Sequence, residues 1–248
     1  MNNQEEQDEA NSVMDWQEVL RLKTEEQTRQ RAAMVTAKKF ISFRGGRMSV
    51  DKVPVPYNKL EVVVLSFTCE NTFYKNKYDP TISQTPVCWA VFDDVTNMNP
   101  DPTSKELQCS DCATCPHYQW GSDPQGGRGK ACKTRYRLCV VPAGDVESAF
   151  RFATLPVTSG KLFEEYLSKL ELNFNKPTFV VLAEMELVPD DKSQYIVKLT
   201  PLSIMPDAAL ANIVKRLDAA ELAVRYPYVD YTDDEEAAAA PVVKTKVK

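Results

Sequence analysis

Four cysteines stand at C-x2-C-x2-C-x16-C spacing: Cys109, Cys112, Cys115 and Cys132. A C-x2-C pair bites a metal ion from one tight turn, and zinc takes four such thiolates in a tetrahedron. Crowded thiolates stay unprotonated at neutral pH only beside a cation. One structural zinc ion per chain is therefore the expectation. The rival is an iron–sulfur cluster, because three cysteines at this spacing with a remote fourth also ligate such clusters. In that pattern proline follows the fourth cysteine, whereas here Pro116 follows the third. His117, the only histidine, adjoins Cys115 and is expected to face solvent. Cys69, Cys88 and Cys139 lie in strand-like apolar settings and read as small buried hydrophobes. A site closed by four cysteines is structural rather than catalytic. With no Walker-type, Ser/His/Asp or paired-carboxylate signature, the chain does not read as an enzyme.

The segment after the third cysteine, GSDPQGGRGKACKTRYR, mixes glycines with Arg128, Lys130, Lys133, Arg135 and Arg137. Glycines let a backbone approach a ligand closely, and bases meet phosphates. Tyr118 and Trp120 just before it are candidates to stack on bases. Two further places repeat the mixture. Asn71–Tyr78 interleaves Phe73 and Tyr74 with Lys75 and Lys77, and Gly45-Gly46 is flanked by Arg44 and Arg47. Aromatic rings among bases point to single-stranded nucleic acid. The plainer alternatives are rings folded back on a core and a simple hairpin turn at the glycine pair.

These residues must be held by elements that the pattern also reveals. Leu60–Thr68 is β-branched and almost wholly apolar, which predicts a strand. Val87–Phe92 and Tyr136–Pro142 predict strands on either side of the cysteine segment, making it an insertion over about 97–135. Short strand pieces are expected on either side of Gly45-Gly46, another at Phe150–Leu155, and a hairpin from Phe179–Val188 and Tyr195–Leu199. A helix is predicted from Ser159, its N-cap, with Leu162, Phe163, Tyr166, Leu167 and Leu170 on one face. A second helix opens at Pro206 and runs to about 227. A charged helix is expected from Asp15 to about Ala37.

The chain has 248 residues, a net charge of −5, 43% hydrophobic and 26% charged residues. These values suit a soluble globular protein with a sizeable core. Its acidic start is neither a signal nor a transit peptide, and no apolar run approaches a membrane span, so a cytoplasmic place with reduced thiols is expected. The charge is uneven. Residues 1–30 hold eight acids against three bases, and 121–140 hold five bases against Asp123. The expected organisation is an acidic tail and helix (1–37), a mainly β domain (38–205), a C-terminal helix (206–227) and an acidic tail (228–248).

The run PVCWAVFDD, followed by C-x2-C-P-x3-W-G-S, a glycine-rich stretch, G-K-A-C-K and a further strand, resembles a family of bacteriophage single-stranded-DNA-binding proteins. The similarity covers about residues 40 to 120 and, more loosely, the later strands. It implies an α+β, mainly β fold: an OB-like β-barrel carrying a zinc-ribbon-like insertion. It also implies single-stranded DNA as partner during phage replication or recombination, with an acidic tail recruiting replication or recombination proteins. The reading from a different class is an adaptor whose zinc segment and acidic ends contact a polymerase or another replication enzyme.

Overall fold

The computed structural model describes residues 39–76, 84–94, 96–124 and 126–228. The expected N-terminal helix, the acidic C-terminal tail and Lys77 lie outside these residues. The chain divides into two units, 1–40 and 41–248. The second carries the whole of the sheet beyond Phe40.

The protein is mixed α and β, mainly sheet, and the sheet curls strongly into a half-barrel. Its strands are β1 (Lys39–Ser42), β2 (Ser49–Val50), β3 (Val53–Pro54), β4 (Lys59–Phe73), β5 (Cys88–Phe92), β6 (Lys133–Pro142), β7 (Arg151–Thr154), β8 (Val181–Asp190) and β9 (Gln194–Ile204). Eight lie side by side in the order β3-β2-β1-β7-β6-β4-β8-β9, and β5 pairs with β4 off that path.

The long strand β4 organises this sheet. One of its edges pairs with β6 from Val62 to Thr72. The other pairs with β8 over Lys59–Val63 and with β5 over Cys69–Phe73. Between these two partners the register shifts at Val64/Ser66. A bulge bends a strand and adds twist, which lets one strand serve two neighbours and curls the sheet.

The unbroken apolar run in β4 reflects burial on both faces. Val62 and Val64 enter one cluster with Leu138, Val140, Met185 and Val197, while Val63 and Leu65 enter another with Cys139, Val141 and Phe152. Each such side chain removed from water contributes about 1.5–3 kcal/mol. Helix α1 (Gly160–Phe174) covers the first cluster through Phe163, Tyr166 and Leu170. Helices α2 (Asp207–Val214) and α3 (Leu217–Val224) cover the second through Ile213, Ala220 and Val224. The single C-terminal helix expected from sequence is thus two, broken at Lys215–Arg216. At this break the Arg216 guanidinium donates to the carbonyls of Val146 and Ser148.

Two local expectations are corrected. Ser159 does not cap α1 with its side chain; it is fully buried, and its Oγ accepts the Val197 N–H of β9 at 2.8 Å. The strand expected over Leu60–Thr68 runs on to Phe73, because β5 and β6 supply hydrogen-bonding edges there. At the other end of the sheet, Gly46 (φ +71°) allows the β1–β2 turn to press on β9, since a Cβ at this position would fall inside the Tyr195 ring. Among the described residues no helix is long and apolar enough to cross a membrane.

Candidate metal centre and nucleic-acid interface

The segment between β5 and β6 folds over the far end of β4. Its backbone is stitched to β5 by Asp101 N–H to Trp89 O (2.7 Å) and Glu106 N–H to Val87 O (2.9 Å). A third apolar cluster of Ala90, Phe92, Met98 and Cys112, with Cys69 and Tyr118 against it, forms the floor. Asn71 is buried in β4, accepts from Thr134 Oγ1 (2.7 Å) and points its amide at Met98 Sδ (3.6 Å). The Phe73 ring stacks on His117, with centroids 4.1 Å apart and an interplanar angle of 19°. His117 is therefore a half-buried packing residue and does not simply face solvent.

Beneath the segment lies a small cavity of about 10 Å³, room for a single water-sized particle. Cys109, Cys112, Cys115 and Cys132 all line it, together with Cys88, Phe73, Trp89, His117 and Tyr118. All seven cysteines are free thiols. Burial, with neighbouring thiols adding to it, pushes the Cys109 thiol up to about 12, and burial pushes the Cys112 thiol up to about 11. Cys132 is raised for the same reasons, burial first. Apolar surroundings and crowded sulfurs thus keep these groups protonated, and a cation entering the cavity would release protons. Among the described residues no group of three or more His, Cys, Asp or Glu side chains is arranged to hold a metal ion. The cysteines share a cavity wall without forming an assembled coordination shell. Soft sulfurs are the donors that a thiophilic ion prefers, and five of them line this space. Cys88 and Cys139 are both buried, as the sequence suggests, and Cys88 also lines the cavity.

Above the cavity the chain turns sharply after Trp120. Gly121 adopts φ +83° and donates its N–H to Gly129 O at 2.9 Å. Ser122 Oγ accepts from Ala131 N–H (2.9 Å) and donates to Gln119 O (2.7 Å). This closes a small ring of backbone from which three side chains project together. Lys130 Nζ sits 3.5 Å above the Tyr118 ring centroid and 5.0 Å from that of Trp120. Trp120 is 77% exposed, and Arg128, on the same segment, is also exposed. An ammonium held over two rings is attracted by their negative faces.

The other sequence candidates are dispersed. Arg44 and Arg47 are exposed on the β1–β2 turn, tied by Asn58 to the start of β4, the opposite end of that strand from the cysteines. Lys75 pairs with Glu106 at 3.1 Å, and Lys133 pairs with Asp123 at 2.6 Å. Tyr74 is half-buried, with the Arg135 guanidinium 6.0 Å from its ring centroid. Phe73 is half-buried and stacks one face of its ring on His117.

Arg137 is a clear correction. It is 1% exposed, its Nε donates to Glu70, itself fully buried, and its Nη1 donates to Tyr226 O at 2.6 Å. The rings of Trp89, Tyr226 and Tyr228 surround its guanidinium at 5.8, 4.1 and 4.8 Å. Tyr228 completes the group by donating its hydroxyl to Glu70 at 2.9 Å. Burial alone would lower the proton affinity of Arg137, but Glu70, Tyr226 and Tyr228 together outweigh it and the net direction is upward. The residue is a structural clamp between β4, β6 and the segment after α3, with no reach to a phosphate. Lys133, Arg135 and Arg137 fall at i, i+2 and i+4 along β6 and so share one face of it, but along that face they meet Asp123, Tyr74 and Glu70 in turn.

No protein-family model, curated protein or solved structure matches this chain.

Proposed function

We propose that the chain binds single-stranded DNA with little sequence preference, and that it is a binding protein rather than an enzyme. The observation that carries this reading is the cluster of Trp120, Lys130 and Tyr118, with Trp120 77% exposed on a loop whose backbone is closed on itself. A large exposed ring beside a held ammonium can stack on a base while the ammonium meets phosphates. Every base has a π-face, so such a site tolerates sequence. The curled half-barrel is compatible with an OB-like barrel, a fold whose strands and loops commonly carry single strands. The resemblance to phage single-stranded-DNA-binding proteins points the same way.

In this reading the cavity thiols hold one zinc ion. Zinc bound by thiolates is a redox-inert cross-link. Here it would fix a segment that owns little core, so that Trp120 and Lys130 keep their placement.

The test is a competition between labelled single-stranded and double-stranded oligonucleotides of mixed sequence. Preference for the single strand, with log affinity falling linearly in log salt, is expected. Equal affinity for both forms, or none for either, would remove the proposal.

A further inference from the structure

One aromatic ring is more open to solvent than that of Trp120. Tyr57 is 93% exposed and lies on the short turn Pro56–Asn58 that leads into β4. Its backbone is left-handed, at φ +54° and ψ 13°, and Asn58 after it is left-handed too, at φ +56°. A Cβ crowds its own backbone in that region; Asn tolerates it, whereas a large ring is seldom found there. Such a conformation persists only where the surroundings fix it. Here side-chain and backbone bonds do so. Asn58 Oδ1 accepts the Met48 N–H at 2.8 Å, Asn58 Nδ2 donates to Gly46 O at 3.1 Å, and the Val55 N–H donates to Met48 O at 2.9 Å. The turn that carries Tyr57 is thereby tied to the β1–β2 turn that carries Arg44 and Arg47.

Both arginines are exposed, and neither enters an ion pair among the described residues. Between them Gly45 has φ +62° and open space where a Cβ would stand. Carboxylates on the neighbouring strands and turn are engaged elsewhere: Glu184 and Glu186 hold Lys59 at 3.1 and 3.2 Å, and Asp51 faces Arg151 at 3.9 Å.

From this we infer that Tyr57, Arg44 and Arg47 form a second contact for single-stranded DNA, at the end of β4 opposite the Trp120 loop. The inference rests on the single-strand reading above and extends it. The chemistry of the first contact is repeated: a ring free to stack on a base, cations free to meet phosphates, and a glycine that lets a strand come close. A lone tyrosine in water is ordinary. A strained backbone, bonded so that it holds the ring out on a turn tied to two unpaired guanidiniums, is not. Strand β4 has 15 residues and so spans about 45 Å. A stacked single strand advancing about 3.4 Å per nucleotide covers that length in about 13 nucleotides, within the range of about 4–16 that one OB-type domain occupies.

The test uses the full chain as wild type, Tyr57→Asn, Arg44→Ala/Arg47→Ala and Trp120→Phe, titrated with a labelled single-stranded oligonucleotide of about 20 nucleotides, long enough to cover β4. Asn suits the left-handed backbone, so Tyr57→Asn removes the ring and keeps the turn. Its affinity is expected to fall about 5- to 150-fold, the loss of one stacked base. The double arginine variant should bind more weakly, with the slope of log affinity against log salt shallower by about 1.4, the share of two phosphates. Wild-type affinity and slope in both variants overturn the inference while leaving the Trp120 reading intact. Weakening in these two with none in Trp120→Phe sustains it and removes Trp120 instead. A wild-type chain that binds no single strand removes both. Should either variant fail to fold, ultraviolet cross-linking of wild type to a bromouracil-substituted strand, followed by peptide mass mapping, decides. A cross-link at Tyr57 is expected, and cross-links confined to the Trp120 segment overturn the second contact.

Discussion

Replacing Arg137 by Met separates a structural role from a binding role at one position. In the folded chain Arg137 answers the charge of Glu70, satisfies the Tyr226 carbonyl and fills a ring-lined space, all at 1% exposure. Met keeps most of the volume but leaves the Glu70 carboxylate buried without its cation and the Tyr226 carbonyl without its donor. Removing one partner of a buried ion pair costs about 3–5 kcal/mol, most of it the desolvated charge left behind. For a domain of this size each kcal/mol moves the melting temperature by about 2–4 °C, so a fall of about 6–20 °C is expected. Urea denaturation followed by circular dichroism measures the loss, with an unchanged slope showing that the unfolding event is the same. Adding Glu70→Gln should recover most of it, because the uncompensated charge is then gone. A midpoint within about 0.5 kcal/mol of wild type would refute the buried-clamp account. Unchanged stability with weakened DNA binding would restore Arg137 as a phosphate contact.

Two further substitutions probe the frame. Gly46→Ala should destabilise more than Gly45→Ala: both glycines have positive φ, but only Gly46 has the Tyr195 ring where a Cβ would go, and overpacking adds about 1–3 kcal/mol. Equal urea midpoints for the two variants would show that the β1–β2 turn does not press on β9. Ser159→Ala should cost about 1–3 kcal/mol by leaving the buried Val197 N–H unpaired. If Asn at position 159, a good capping residue, restores stability fully, the helix-cap role dismissed above is the right one.

The elements were largely legible in the sequence because periodicity reports burial. The apolar run of β4, the i, i+3/i+4 face of α1 and the β8–β9 hairpin all emerge near the expected places. Charge did not translate as well. Arg128, Lys133 and Arg137 look alike in a string of bases, yet one is exposed, one is paired with Asp123 and one is buried against Glu70. The partners Glu70, Tyr226 and Tyr228 lie far away in the chain, and only the β4–β6 register and the fold-back after α3 bring them together. Cys88 was hidden for a similar reason. Alternation along β5 places it opposite Trp89 in facing direction, but nothing local says that the face it shares is roofed by the cysteine segment. Ser159 shows the limit of local rules: a residue suited to a cap was taken by a strand 38 positions away.

The central claim is that the cysteine-held loop grips single strands through Trp120. The chain has three tryptophans, Trp16, Trp89 and Trp120; Trp89 is 3% exposed and Trp120 77%, and the difference between wild type and Trp120→Phe isolates the fluorescence of Trp120. Titrating wild type and Trp120→Phe with an unlabelled single-stranded oligonucleotide, at fixed salt, tests the claim most directly. The account predicts strong saturable quenching in wild type that is largely lost in Trp120→Phe, with affinity reduced by no more than the about 1–3 kcal/mol that stacking on one base contributes. Quenching and affinity unchanged in Trp120→Phe would contradict it.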